Sequence, residues 1–309
     1  MSTLRYILAI GGDTTLRDVD VALACGQTDL LVSVGKPLAR HLRGLPGVTV
    51  VLDSAAWPPN DPARPSFDAW WQLLRGWRQG ENDYGNLRHA IAYDTITDGA
   101  RTQRDYHRLM GRMDERSIPD LPNVPVLGHG AWPDALALDA LQGWAGTRDD
   151  LVNGDGGTDR PAYALGGLVP ERGSARSIQW VTQVAAVLED LIEEEGVDPA
   201  LLGIHLLGTT RPAYLAPLRR LGVPVACDTS TPMLHARAGD AALAWGYTDQ
   251  FGLPLALLRR SRFARVAFWL CRERSRLGLP WTTPDAAWLE ELPHLTPIVL
   301  PQQLTLLAA

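Results

Sequence analysis

Short apolar runs recur along the chain at helix-length intervals, and each is continuous rather than alternating. They are Leu4–Ile10, Leu30–Val34, Thr49–Leu52, Ala90–Asp94, Val124–Leu127, Ala162–Leu168, Leu202–Leu207 and Val223–Cys227. Continuous apolar runs mark strands buried on both faces, as in a parallel sheet covered by helices. Helices are predicted between several of them, over Ser66–Arg78, Asp134–Ala145, Ser174–Glu195 and Ala213–Leu221. Ser174 or Ser177 is placed to cap the third of these, which stops before Gly196. Eight strands alternating with helices predict an α/β fold, the (β/α)8 TIM barrel, over residues 1–240. Residues 241–309 are then an Arg-rich helical extension packed on the barrel. A doubly wound open sheet is the competing arrangement, and no G-x-G-x-x-G or Walker A pattern favours it.

In a barrel of this kind the C-terminal strand ends share one rim, where such folds keep their chemistry. The third run ends in Asp53-Ser54, the fourth in Asp94, the fifth in His129, the sixth in Gly166-Gly167-Leu168 and the eighth in Asp228. An Asp after a strand is commonly a turn former or helix cap. Three carboxylates on one rim, with a Gly-Gly step that lets a ligand approach the backbone, make a candidate site. Asp228 is followed by Thr229, Ser230 and Thr231, neutral hydrogen-bonding residues, so no neighbour in sequence pairs off its charge. That leaves it available as a nucleophile. His205 lies inside an apolar run and reads as core. Trp70, Trp71 and Trp77 read as the buried face of a helix, whereas Trp57, close to Asp53-Ser54, reads as a site residue.

Composition adds little except in its cations. The 309 residues carry a net charge of −6, with 46% hydrophobic and 21% charged residues, as in an ordinary globular protein. No apolar run reaches the roughly 18–20 residues that cross a bilayer, so no membrane partner is expected. Cys25, Cys227 and Cys271 are odd in number and widely spaced, which suits neither a disulfide framework nor a CxxC metal site. A reducing cytoplasm is the expected compartment. The acidic balance opposes nucleic-acid binding in general. However, Arg259, Arg260, Arg262, Arg265, Arg272, Arg274 and Arg276 crowd one segment, shortly after Arg237, and Lys36 is the only lysine. Guanidinium forks bind phosphates bidentately. The cluster is therefore either a backbone-binding face, with Arg237, Arg259, Arg260 and Arg262 as its candidates, or a solvated helix surface.

From the third strand to just past the eighth, short motifs in order resemble the tRNA-guanine transglycosylase superfamily, which includes relatives acting on DNA. Leu52-Asp53-Ser54-Ala55-Ala56-Trp57 is similar to its D-S-G-G-F segment, and Ala92-Tyr93-Asp94 falls where the family carries a base-recognising Asp. Val126-Leu127-Gly128-His129-Gly130 resembles V-Q-G-G, with His129 in place of Gln. Ala164-Leu165-Gly166-Gly167-Leu168 matches G-G-L, and Leu207-Gly208-Thr209-Thr210-Arg211-Pro212 resembles M-G-V-G-x-P. Cys227-Asp228 through Pro232, Ala236, Arg237 and Gly239 follows F-D-C-x-x-P-T-R-x-A-R-x-G without a gap.

The resemblance implies base exchange in an intact nucleic acid. Asp228 attacks C1′ of a guanosine, and Asp53 gives a proton to the departing guanine and removes one from an incoming 7-deazaguanine such as preQ0. Asp94 reads the N1–H and amino edge, because a carboxylate accepts two adjacent donors. Ser54, Gly166, Gly167 and Leu168 line the base, Trp57 and Leu207 cover its faces, and His129 donates to its carbonyl. No cofactor is implied. The family's enzymes often pair, which implies a homodimer or a partner protein. Its tRNA enzymes carry a zinc subdomain after the nucleophile, yet only Cys271 lies beyond Asp228 here, so no metal is expected and DNA is favoured over tRNA as the acceptor. Two other functions fit the same residues. A glycoside hydrolase would use Asp53 and Asp228 about 5 Å or about 9 Å apart for retention or inversion. A non-catalytic binder would keep the barrel and the Arg face alone.

Overall fold

The computed structural model describes residues 4–11, 14–54, 64–77, 85–95, 98–115, 123–128, 161–169 and 174–295. The expected helix Asp134–Ala145, together with Ala55, Ala56, Trp57 and His129, lies outside the described residues.

The apolar runs form strands. These are β1 (Leu4–Ile10), β2 (Asp29–Ser33), β3 (Thr49–Asp53), β4 (Leu87–Ile91), β5 (Asn123–Val124), β6 (Val126–Gly128), β7 (Tyr163–Gly166), β8 (Ile204–Leu206) and β9 (Val225–Thr229). They make one sheet in the order β5-β4-β3-β2-β1-β9-β8-β7-β6. Its first and last members, β5 and β6, are separated in the chain by Pro125 alone. Proline has no N–H to give to a ladder, so it splits what is otherwise one strand. On one side Ala92 N donates to Val124 O at 2.9 Å, and on the other Ala164 N donates to Pro125 O at 2.8 Å. The broken strand thus pairs with β4 on one side and β7 on the other, both in parallel. The ring of eight parallel strands is the (β/α)8 barrel predicted from the apolar runs.

The chain divides into two compact units. The first comprises Met1–Tyr6, Ser33–Gly35 and Val51–Asp228, and the second Ile7–Val32, Lys36–Val50 and Thr229–Ala309. The boundary expected at residue 240 falls inside the second unit. In the first, helices α3 (Phe67–Arg75), α4 (Gly99–Glu115), α5 (Ala175–Glu193) and α6 (Pro212–Arg220) alternate with strands. Ser66 caps α3 by accepting from Ala69 N, and Trp70 and Trp71 are buried on its inner face, as is Trp77 just beyond it. Ser174, not Ser177, caps α5; the Ser177 hydroxyl is instead 2.7 Å from that of buried Tyr214 on α6. Such a cap is worth about 1 kcal/mol.

In the second unit α1 (Leu16–Ala24) opens with a capping box, in which Thr15 accepts from Asp18 N while Asp18 accepts from Thr15 N at 2.7 Å. Next come α2 (Pro37–Leu42), α7 (Thr231–Ala238), α8 (Asp240–Gly246), α9 (Leu255–Arg260), α10 (Arg262–Arg276) and α11 (Ala286–Glu291). The C-terminal segment is therefore helical over its described residues, as expected. Its core helix, α10, buries Ala264, Val266, Ala267, Phe268, Trp269, Leu270 and Cys271. No helix among the described residues is long and apolar enough to cross a membrane.

Candidate active site

Asp228 is the penultimate residue of β9 and is 4% exposed. The parallel register with β8 sets His205 opposite Ala226. Side chains two apart along a strand share a face, so Asp228 and His205 project from the same side of the sheet. Asp228 Oδ1 lies 3.0 Å from His205 Nε2. Asp228 Oδ2 accepts from Gly208 N at 3.1 Å. Gly208 has φ +71, and a Cβ on it would collide with Val169, so only glycine presents its amide here. The sequence expectation that Asp228 is unpaired holds for its immediate neighbours and fails in space: both carboxylate oxygens have a donor. Neither partner is a fixed cation, so the arrangement orients the carboxylate without an obligatory counter-charge.

Asp94 follows β4 by three residues, and the strand stops at Ile91 rather than reaching it. Ser54 Oγ donates to Asp94 Oδ1. Arg64, lying over the Tyr93 ring at 4.4 Å, donates to the Asp94 backbone carbonyl. Burial pushes the Asp94 carboxyl above the usual carboxylate range, while the Ser54 hydrogen bond and Arg64 pull it back. Gly166 packs against this acid. A Cβ there would come within 2.9 Å of Val126 Cγ1, 3.7 Å of Leu207 Cδ1 and 3.8 Å of Asp94 Oδ2. Ser54, Asp94, Gly166 and Leu207, contributed by four different strand ends, therefore pack together at one place. Leu207 belongs to this group and the next residue, Gly208, donates to Asp228, so consecutive residues of one strand end reach both carboxylates.

Gly167 follows with φ +76, and Leu168 is fully buried. Asp53 is half-buried at the end of β3, where its Oδ2 accepts from Ser33 Oγ at 3.1 Å. Among the described residues no three His, Cys, Asp or Glu side chains gather as a metal centre would need. His205 is core, as its sequence reading has it, but it also bonds Asp228, and His89 beside it was not singled out. Both are fully buried, and their ring nitrogens, His205 Nδ1 and His89 Nε2, are 3.3 Å apart. The available signal was a polar side chain inside an apolar strand, which needs a partner when buried.

The arginines proposed for a phosphate face are placed differently from one another. Arg262 donates to buried Asp18 at 2.9 Å, and Arg260 is paired with Glu290. Arg237 and Arg259 are exposed on the ends of α7 and α9. Burial and the nearby Arg262 charge lower the affinity of Arg237 for its proton. No family model and no curated protein matches the chain.

Proposed function

We propose that the protein is a base-exchanging transglycosylase, replacing guanine in a nucleic acid with a 7-deazaguanine such as preQ0. The observation that carries this reading is the packing of Ser54, Asp94, Gly166 and Leu207 at neighbouring strand ends, with Gly208, the residue after Leu207, donating to the buried Asp228. A buried acceptor at Asp94, bare backbone at Gly166 and an apolar side chain at Leu207 are the kinds of group that suit a flat base with two adjacent donors. Asp228 attacks C1′, its oxygen forming the new bond as the bond to guanine breaks. Asp53 delivers the proton the departing base needs, then removes one from the incoming base, which displaces Asp228. The exchange leaves the polymer intact and consumes no cofactor.

DNA is the favoured acceptor, because the sequence after Asp228 lacks the cysteines of a zinc subdomain. Arg259, exposed at the end of α9, is the arginine best placed to meet phosphates, since Arg260 and Arg262 are already joined to carboxylates. Free thiols at Cys25, Cys227 and Cys271 agree with a reducing, cytoplasmic setting. The test is incorporation of labelled guanine into DNA and tRNA, supplied separately, by the unmodified protein and by Asp228→Ala. Label enters DNA with the unmodified protein, and the substitution slows entry about 10⁴-fold or more. Release of free sugar from a polysaccharide, with no label in either polymer, replaces this reading with glycoside hydrolysis.

A further inference from the structure

The buried chain Asp228–His205–His89 joins the proposed nucleophile to two histidines that the reaction itself does not require. Asp228 lies on β9, His205 on β8 and His89 on β4. β8 and β9 are sheet neighbours, whereas β4 and β8 are not, so the His–His contact crosses the barrel interior. The two rings have centroids 5.5 Å apart and planes at 89°, and their facing nitrogens are 3.3 Å apart, so the nitrogens lie nearly in line between the centroids. That geometry points a ring nitrogen of one histidine at a ring nitrogen of the other.

We infer that His205 is the positioning residue for Asp228, and that His89 holds the His205 ring in place by donating to the Nδ1 that this bond leaves bare. The inference rests on the transglycosylase reading for what Asp228 does, and on geometry alone for the hydrogen bonds. An ionised carboxylate only accepts, so His205 Nε2 must carry a hydrogen to bond Asp228 Oδ1. In the neutral ring Nδ1 is then bare and becomes an acceptor. His89 Nε2, 3.3 Å from it, supplies the hydrogen it lacks. One orientation of donors thus runs from His89 through His205 to Asp228, and the opposite tautomer of His205 would set two lone pairs against each other at the carboxylate. Gly208 N–H holds the other oxygen, so the carboxylate is fixed at both ends. Each oxygen keeps a lone pair free of these bonds, and one of them is the attacking pair. The arrangement supplies orientation while leaving the carboxylate its charge, which a lysine or arginine at 205 would largely offset.

The chain is tested by long-range ¹H–¹⁵N correlation spectra of the full-length protein labelled at its histidines, near neutral pH, with His205→Gln and His89→Phe used to assign the two rings. Both rings are expected to carry a hydrogen on Nε2, and in His89→Phe the His205 ring is expected to keep it while its Nδ1 resonance moves to that of a nitrogen without a hydrogen-bond donor. For activity, His205→Leu is expected to slow formation of the glycosyl-enzyme about 10²-fold while the KM for free guanine stays put, because a displaced nucleophile affects the chemical step. His205→Gln, whose amide offers a donor near the Nε2 position, is expected to recover most of that loss. A His205 ring protonated at Nδ1 alone, or equal rates for the Gln and Leu variants, overturns the inference. If His205→Leu does not fold, the tautomers of the unmodified protein decide the matter. A protein that shows the expected tautomers and exchanges no base overturns the transglycosylase reading and leaves the hydrogen-bond assignment standing.

Discussion

The carboxylates of the first compact unit and the guanidiniums of the other are alike in sequence, each a cluster of charge in a position suited to a ligand. Their partners separate them. Asp228 accepts from an imidazole and a backbone amide, and Asp94 accepts from a serine hydroxyl. Those are dipoles, which orient a charge and leave it on the side chain. The arginines of α10 are tied into the protein instead. Arg265 donates to the carbonyls of Ala236, Leu258 and Arg259, and Arg272 to that of Gly246, all at the last turns of α7, α9 and α8. Arg274 bonds the carbonyl of Pro280 and the side chain of Gln27. Terminal helix carbonyls lack intrahelical donors and carry the negative end of the helix dipole, so a five-donor guanidinium is a strong staple there. Charge density alone does not distinguish a site from a scaffold; the chemical type of the partner does.

The comparison is broken most forcefully at Arg262. Its removal leaves Asp18, which is fully buried, without its cation, so Arg262→Ala is expected to cost about 2–3 kcal/mol of stability, less than the roughly 3–5 kcal/mol for a fully buried pair because Arg262 itself is partly exposed. Urea unfolding measures this, and unchanged stability with weakened DNA binding would return Arg262 to the ligand face. Next in size is Asp94→Asn. Burial holds the folded carboxyl above its usual value of 3.8, so the folded state binds the extra proton more tightly. Stability from this group is full below about pH 4 and declines as pH rises through the elevated folded value. The asparagine variant is therefore expected to gain stability over the native chain as pH is raised from 4 to 7 while base exchange is lost, read from thermal midpoints across that interval. A gap that closes with rising pH would mean that the acid is held ionised. The smallest effect belongs to Arg259, exposed and free of carboxylate partners among the described residues. Arg259→Ala is expected to change stability by less than about 0.5 kcal/mol and to reduce the salt dependence of DNA binding by about one ion.

Much of the barrel was legible because burial on both faces writes each strand as an unbroken apolar run, and β1 spans the predicted residues Leu4–Ile10. Helices α1, α2 and α4 were not marked. Along α4 the buried stripe holds few apolar residues, Leu109 among them and Thr102 standing in it as a polar one, while Arg101, Arg104 and Arg108 fill the exposed face. The acids Asp53, Asp94 and Asp228 were legible by position, each coming at or just after a strand end. Their orientation was not. His89 and His205 are 116 residues apart, and their contact exists only because the sheet closes on itself. The staples of the Arg-rich segment were hidden for a related reason: their acceptors are backbone carbonyls, which every residue has and no pattern of side chains records.

Pro125 gives that closure a particular character. Because the outermost members of the sheet order are the two flanks of a single proline, the ring is completed by a covalent bond as much as by hydrogen bonds. Cutting the backbone there would leave β5, only two residues long, and β6 as the free margins of an open sheet. Unprotected margins of that kind recruit strands from other molecules. One peptide linkage therefore guards against self-association as well as holding the barrel shut.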